Sequence, residues 1–214
     1  RTPFAIADTG TYTVVISGNT PCPSLTSANA KVTGTMPALI TLEPAGKNLC
    51  LGDSLELSVN ANATQFYQWR KNGLNIGGAT TSNKLKISSV SYSDSGIYSV
   101  IAIAFNGCVN DTSAPAIVKV RTPLSITAPL ANTDMKCIGQ NVNYTIGVAG
   151  SGPYNYSWTF NGTNIGTNNA TYTKNGASLA DSGRYIVQIQ GDIACPSIRD
   201  TIDLSIERPL AISL

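Results

Sequence analysis

Five cysteines are the residues of this chain most able to do chemistry, and their spacing suggests which chemistry. Cys50 and Cys108 lie 58 residues apart, and Cys137 and Cys195 repeat that separation. Such a repeat reads as structural disulfides made in an oxidising, extracytoplasmic setting. Cys22 is the odd one. By the same spacing its partner is expected about 58 residues upstream of this chain, as in a slice from a longer array. Other chemistries find no support. Histidine, the commonest general base and metal ligand, is absent from the sequence. No carboxylate pair repeats at a spacing that suggests a glycosidase dyad, and there is no phosphate-cradling glycine loop or EF-hand aspartate series. The expectation is a chain without an active site, cofactor or metal.

The elements that carry these cysteines repeat as well. Asp8-Thr9-Gly10-Thr11-Tyr12 returns as Asp94-Ser95-Gly96-Ile97-Tyr98 and Asp181-Ser182-Gly183-Arg184-Tyr185, a period of 86–87 residues. A fixed period of that length means one structural unit strung in series. Each corner tyrosine precedes a cysteine by ten residues (Cys22, Cys108 and Cys195). Pro37, Pro123 and Pro209 recur at intervals of 86, each opening a unit with fixed φ and no ladder donor. The predicted organisation is the end of a truncated domain at 1–34, full domains at 35–121 and 122–207, and the start of another at 208–214. The short, proline-bearing joints favour semi-rigid stacking over free tumbling.

Within units the pattern is that of strands. Leu55, Leu57 and Val59 alternate with polar residues, as do Val142, Tyr144 and Ile146. Asn72-Gly73 and Asn161-Gly162 are hairpin turn signals after Trp69 and Trp158. No sustained 3.6-residue stripe occurs, so the expected fold class is all-β. Composition agrees with packed domains: 42% of residues are hydrophobic and only 12% charged. The net charge of +2 has no basic cluster behind it, which argues against nucleic acid as partner. No apolar run approaches the roughly eighteen residues of a membrane span, so no direct membrane insertion is expected.

Gly52 to Ser58, Trp69 and Asp94 to Tyr98 resemble the B strand, C-strand tryptophan and tyrosine corner of an immunoglobulin-like domain. Gly139 to Ile146, Trp158 and Asp181 to Tyr185 repeat the resemblance, and Asp8 to Tyr12 carries its last part. It implies tandem immunoglobulin-like β-sandwich domains in an end-to-end array, with Trp69, Trp158, Tyr12, Tyr98 and Tyr185 as structural core. Antibody-type domains bridge strand B to a cysteine two residues beyond the corner tyrosine. Here those positions are aliphatic: Val14, Val100 and Val187, with Val59 and Ile146 on strand B. The cysteines stand instead before strand B and in the F–G turn region. Pairing Cys50 with Cys108 and Cys137 with Cys195 would then clamp one end of each sandwich.

This displaced-cysteine layout resembles the repeats of very large surface and secreted adhesins of Bacteroidota. That resemblance implies an extracellular, outer-membrane-associated stalk serving cell attachment or gliding motility. Its partners would be neighbouring repeats, surface polysaccharide or another cell-surface protein. Two rivals are an accessory spacer or carbohydrate-binding module of a secreted carbohydrate-active enzyme, and a eukaryotic immunoglobulin-superfamily receptor; the missing central bridge counts against vertebrate receptors. Six N-glycosylation sequons occur, at Asn62, Asn110, Asn143, Asn155, Asn161 and Asn169. Ser54 and Thr201 lie in patterns resembling a Bacteroidota O-glycosylation signal. Phe66, Phe105, Tyr154 and Phe160 are the aromatics expected to face outward and offer a binding surface.

Overall fold

The structure is a computed structural model that describes residues 5–166 and 168–209. The expected start of another domain therefore falls, from Leu210 onward, outside the described residues. Among the described residues the only helices are short 3₁₀ turns; everything else regular is strand. The contacts divide the chain into two compact units: 1–47, 56–86 and 96–117 form the first, and 48–55, 87–95 and 118–214 the second.

The second unit contains the complete sequence repeat 122–207. Its larger sheet has the strand order Thr133–Cys137, Ile198–Glu207, Gly183–Gln190, Asn155–Phe160 and Thr163–Asn164. The first pair is parallel, with Cys137 opposite Glu207; the others are antiparallel. A second sheet pairs Val142–Thr145 with Thr171–Lys174. Period-two alternation buries Tyr185, Val187 and Ile189 from one strand and Ile202, Leu204 and Ile206 from its neighbour. Val142, Tyr144 and Ile146 complete the same core, around a fully enclosed Trp158. Trp158 lies opposite Val187 in the register, so aliphatic and indole groups fill the space a central bridge would take. Tyr185 lies 4.8 Å from Phe160, 5.4 Å from Tyr172 and 5.6 Å from Tyr144, ring centre to ring centre. Such tilted and edge arrangements add to the area the rings bury.

The first unit repeats part of this plan. Thr64–Lys71 pairs antiparallel with Gly96–Ala104, again placing tryptophan opposite valine (Trp69 and Val100). Asn72 and Gly73 turn the chain with φ of 49° and 81°, as Asn161 and Gly162 do in the second unit with 46° and 85°. These left-handed values are ones that Asn and Gly tolerate. Leu57, Val59, Trp69, Tyr98, Val100 and Ala102 are buried.

At the amino end, Gly10–Tyr12 pairs with Ala30–Val32 and Val15–Ile16 with Leu25–Thr26. The Tyr12 hydroxyl donates to Asp8 O at 2.7 Å. Its ring, expected in a core, is 49% exposed, and Val14, Val15 and Ile16 are exposed with it. The corner hydrogen bond is local and forms anyway; burial needs a facing sheet, and no residue between Ala5 and Ala30 is buried.

Candidate functional site

The cysteines pair differently from the expectation. Cys50 is bonded to Cys195, with an S–S distance of 2.08 Å and a sequence separation of 145, while Cys22, Cys108 and Cys137 are thiols. The bridge therefore joins successive sequence repeats, not two points of one sandwich.

The reason lies in strand length. In repeat 122–207, Cys137 sits beside Glu207 at the end of Ile198–Glu207. The turn after Cys137 is tied to the Asp181 corner: Gly139 N donates to Ala177 O and Ala177 N donates to Gln140 O, both near 2.9 Å. From that corner, Gly183–Gln190 runs the length of the sandwich before the chain turns at Cys195. Cys195 is thus beside the Ile198 end of a ten-residue strand whose other end is beside Cys137. At about 3.3 Å per residue the two cysteines are separated by roughly 30 Å. A disulfide needs Cα atoms within about 7 Å, so Cys137 and Cys195 cannot bond. Cys50, with its Cα 5.0 Å from that of Cys195, takes the place.

The surroundings of the bridge are built. Both half-cystines are about 4% exposed. The Cys50 turn is held by Cys50 N donating to Asp53 Oδ2 at 2.8 Å and Asp53 N donating to Cys50 O at 3.0 Å. Gly52, at φ 92°, donates its N–H to Val90 O, and Leu51 N donates to Arg121 O. The Cys195 turn is held by Cys195 N donating to Asp192 O and Ala194 N donating to Asp192 Oδ1. Arg121 connects the two: its Nε lies 2.9 Å from Asp192 Oδ2, a charge contact in partly screened surroundings, and its carbonyl lies 3.9 Å from Cys195 Sγ.

The first residues of repeat 122–207 are equally committed. Thr122 N donates to Ser151 Oγ, Ser151 N to Thr122 O and Asp192 N to Ser151 O. Leu124 is 8% exposed against Gly150 and Gly191. A Cβ on Gly191 would fall 2.5 Å from Ser151 O and 2.7 Å from Leu124 Cδ2, so the backbone must be bare for the segment to seat. Loop closure over 145 residues disfavours the unfolded chain by about 5 kcal/mol on the chain-entropy model.

The remaining candidates fall elsewhere. Trp158 donates from Nε1 to Asn169 O at 2.9 Å, whereas the buried Trp69 Nε1 has no partner among the described residues. The Tyr185 hydroxyl donates to Asp181 O at 2.9 Å, and burial first, then the Tyr172 and Asp181 charges, pushes it up to about 12. Of the four aromatics expected outside, Tyr154 and Phe160 pack against the core, and Tyr154 donates its hydroxyl to Gly150 O. Phe66 is half-buried and Phe105 exposed. All six sequon asparagines are exposed; Asn110 and Asn161 spend their Oδ1 on Ala104 N and Arg184 N. Ser54 is exposed and Thr201 half-buried within Ile198–Glu207. No group of three or more Cys, Asp, Glu or His able to hold a metal occurs among the described residues.

Comparison with known proteins agrees on the architecture. No family model matches the sequence, and no curated protein matches it. Solved structures do. The titin I-band fragment I67–I69 superposes with a TM-score of 0.64 at 22% identity, covering 82% of this chain and 68% of that one. Extracellular domains 3–5 of Drosophila OTK match with a TM-score of 0.67 at 16% identity, covering 95% and 73%. Immunoglobulin domains 1–5 of Sidekick-1 match at 0.66 and 14%, covering 95% and 48%. At these identities the likeness establishes the fold. The chain is a tandem array of immunoglobulin-like β-sandwiches.

Proposed function

We propose that this chain is a non-catalytic shaft segment of a very large secreted cell-surface adhesin, an array that holds a distal binding element away from the envelope. The observation that carries this reading is the Cys50–Cys195 bridge between successive repeats, with Arg121 to Leu124 seated against the turns at Ser151 and Asp192. A flexible tether has no use for a joint that is covalently closed and ion-paired; a strut under shear does. Each sandwich adds about 30–35 Å, the length of a ten-residue strand. The 86–87-residue period supplies reach by repetition, with stability local to each repeat and its neighbours. The displaced cysteines and the Ser/Thr/Asn-rich, charge-poor composition support the Bacteroidota adhesins as the closest kind, with cell attachment or gliding as the role and the outer-membrane surface as the place.

One other reading has an observation behind it. OTK and Sidekick-1 are tandem immunoglobulin-domain proteins that match over 95% of this chain, and six exposed sequons would suit a eukaryotic secretory route. The deciding measurement is the intact mass and the terminal and glycan-bearing peptides of the native polypeptide. Hundreds of kilodaltons of further repeats with bare sequons support the bacterial shaft. Occupied sequons with a membrane anchor overturn it in favour of a receptor, and an adjoining catalytic domain overturns it in favour of an enzyme's spacer.

A further inference from the structure

Two of the remaining thiols stand in copies of the environment that holds the bridge. Cys137 sits in the same turn as Cys50: Cys137 N donates to Gln140 Oε1 at 2.8 Å as Cys50 N donates to Asp53 Oδ2 at 2.8 Å. Gln140 N returns a bond to Cys137 O as Asp53 N does to Cys50 O. Gly139, at φ 86°, donates to Ala177 O as Gly52, at 92°, donates to Val90 O. Ile138 N donates to Glu207 O as Leu51 N donates to Arg121 O, which makes Glu207 the counterpart of Arg121 at the next joint. Cys137 is exposed where Cys50 is buried by its bond, and the side chains beside it, Met135 and Ile138, are 66% and 43% exposed.

Cys108 matches Cys195 in the same way. Cys108 N donates to Phe105 O as Cys195 N donates to Asp192 O. Cys108 Sγ lies 3.6 Å from Thr35 O, and Cys195 Sγ lies 3.9 Å from Arg121 O, one period of 86 residues further on. Each sulfur is thus held against the segment that leads into its own repeat.

We propose that Cys137 and Cys108 are each one half of a further bridge of the Cys50–Cys195 kind: Cys137 is the site that bonds the F–G-turn cysteine of a following repeat, and Cys108 the site that bonds the pre-B-strand cysteine of a preceding one. Cys22, ten residues beyond Tyr12, belongs to the Cys108 class. The inference rests on the array part of the proposed function and is independent of adhesion. Its mechanical consequence is interlocking. Cys137 lies inside the loop closed by Cys50 and Cys195, 58 residues before its end, so each bridge overlaps the next and no repeat is spanned by a single closure. Chemically, each bridge forms by thiol–disulfide exchange. A thiolate attacks a small-molecule disulfide such as oxidised glutathione, releasing one glutathione thiolate, and the second cysteine thiolate then attacks the resulting mixed disulfide at the protein sulfur and displaces the other. The two protons and two electrons of the cysteine pair leave as two reduced glutathiones.

The test is a lengthened chain in which a duplicate of residues 122–207, with serine in place of its own copy of Cys137, follows Glu207, so that Glu207 occupies the place of Arg121 before a new Thr122. After oxidation with glutathione disulfide, free thiols are alkylated and non-reduced peptides are mapped. The expected result is a cross-linked peptide joining Cys137 to the F–G-turn cysteine of the added copy, lost in Cys137→Ser while Cys50–Cys195 persists. Alkylated Cys137, or Cys137 bonded to Cys108 or Cys22, overturns the proposal when Cys50–Cys195 is present in the same molecules. Absence of both bridges overturns it too, since the joint geometry it copies is then not formed. A native polypeptide that proves to be a receptor would sink the adhesin reading and leave this result standing.

Discussion

Trp69 and Trp158 occupy one place in two sequence repeats, each opposite a valine, yet they differ by a hydrogen bond. Trp158 Nε1 donates to Asn169 O, and the buried Trp69 Nε1 meets no acceptor among the described residues. Replacing either by Phe removes comparable area, but only Trp158→Phe also leaves Asn169 O without its donor. Trp158→Phe should therefore cost about 1–2 kcal/mol more than Trp69→Phe, read from denaturant midpoints; equal costs would show that the Asn169 bond contributes nothing net. A second residue-scale expectation concerns Glu56. Lys84 Nζ at 2.7 Å and Lys86 Nζ at 2.9 Å hold its carboxyl down to about 2, chiefly through their hydrogen bonds. A depressed carboxyl stabilises the fold fully above its ordinary value near 4.5 and loses that contribution as pH falls toward 2. The side-chain carboxyl resonance of Glu56 should thus titrate near 2, and move up in Lys84→Gln and further in the double Lys84→Gln, Lys86→Gln variant. A midpoint near 4.5 in the unsubstituted chain would contradict the geometry.

The turns show how much of the fold could be read ahead. Asn161 adopts φ 46° and uses its Oδ1 to accept from Arg184 N at 2.9 Å; Asn72 does the same at 49° with Ile97 N. Asn161→Ala strains the turn and orphans an N–H, with an expected loss of about 1–3 kcal/mol in thermal or denaturant unfolding. Asn161→Gly, free of the strain, should lose less, and no difference between the two would mean the φ value is unimportant. Asn-Gly pairs, alternating strands and the corner motif were legible because each acts through local geometry. The bridge was not, because equal spacing of cysteines looks the same whether they pair within a repeat or across a joint. A signal existed all the same: Gly183–Gln190, the eight-residue strand that starts at the corner, carries the chain away before the turn that holds Cys195, and the corner shares its end of the sandwich with the Cys137 turn. A cysteine one strand length from that corner cannot reach Cys137. Tyr12 failed for a complementary reason, since a motif specifies a hydrogen bond locally but burial only through a facing sheet. Phe160 was misplaced although period two sets it on the face of Trp158, two residues earlier in Asn155–Phe160, and Tyr154 because it lies just before that strand, where alternation is no guide.

At the scale of the molecule, the bridge changes where force travels. Tension applied at the two ends of the chain enters through Lys47–Cys50, crosses the disulfide and leaves from Cys195 toward Ile198–Glu207. The 145-residue separation is thereby removed from the extensible length. At up to about 3.6 Å per residue, the hidden length is roughly 520 Å. Single-molecule extension of the oxidised chain should therefore stop short by about that amount, and added reductant, or Cys195→Ser, should restore it. Equal extension with and without reductant would mean that the bridge is outside the force path, and a strut would then have to rely on the packing at Arg121 and Leu124 alone. The comparison also separates stiffness from strength. The ion pair of Arg121 with Asp192 persists in Cys195→Ser, whereas only the covalent bond limits extension once that contact has parted.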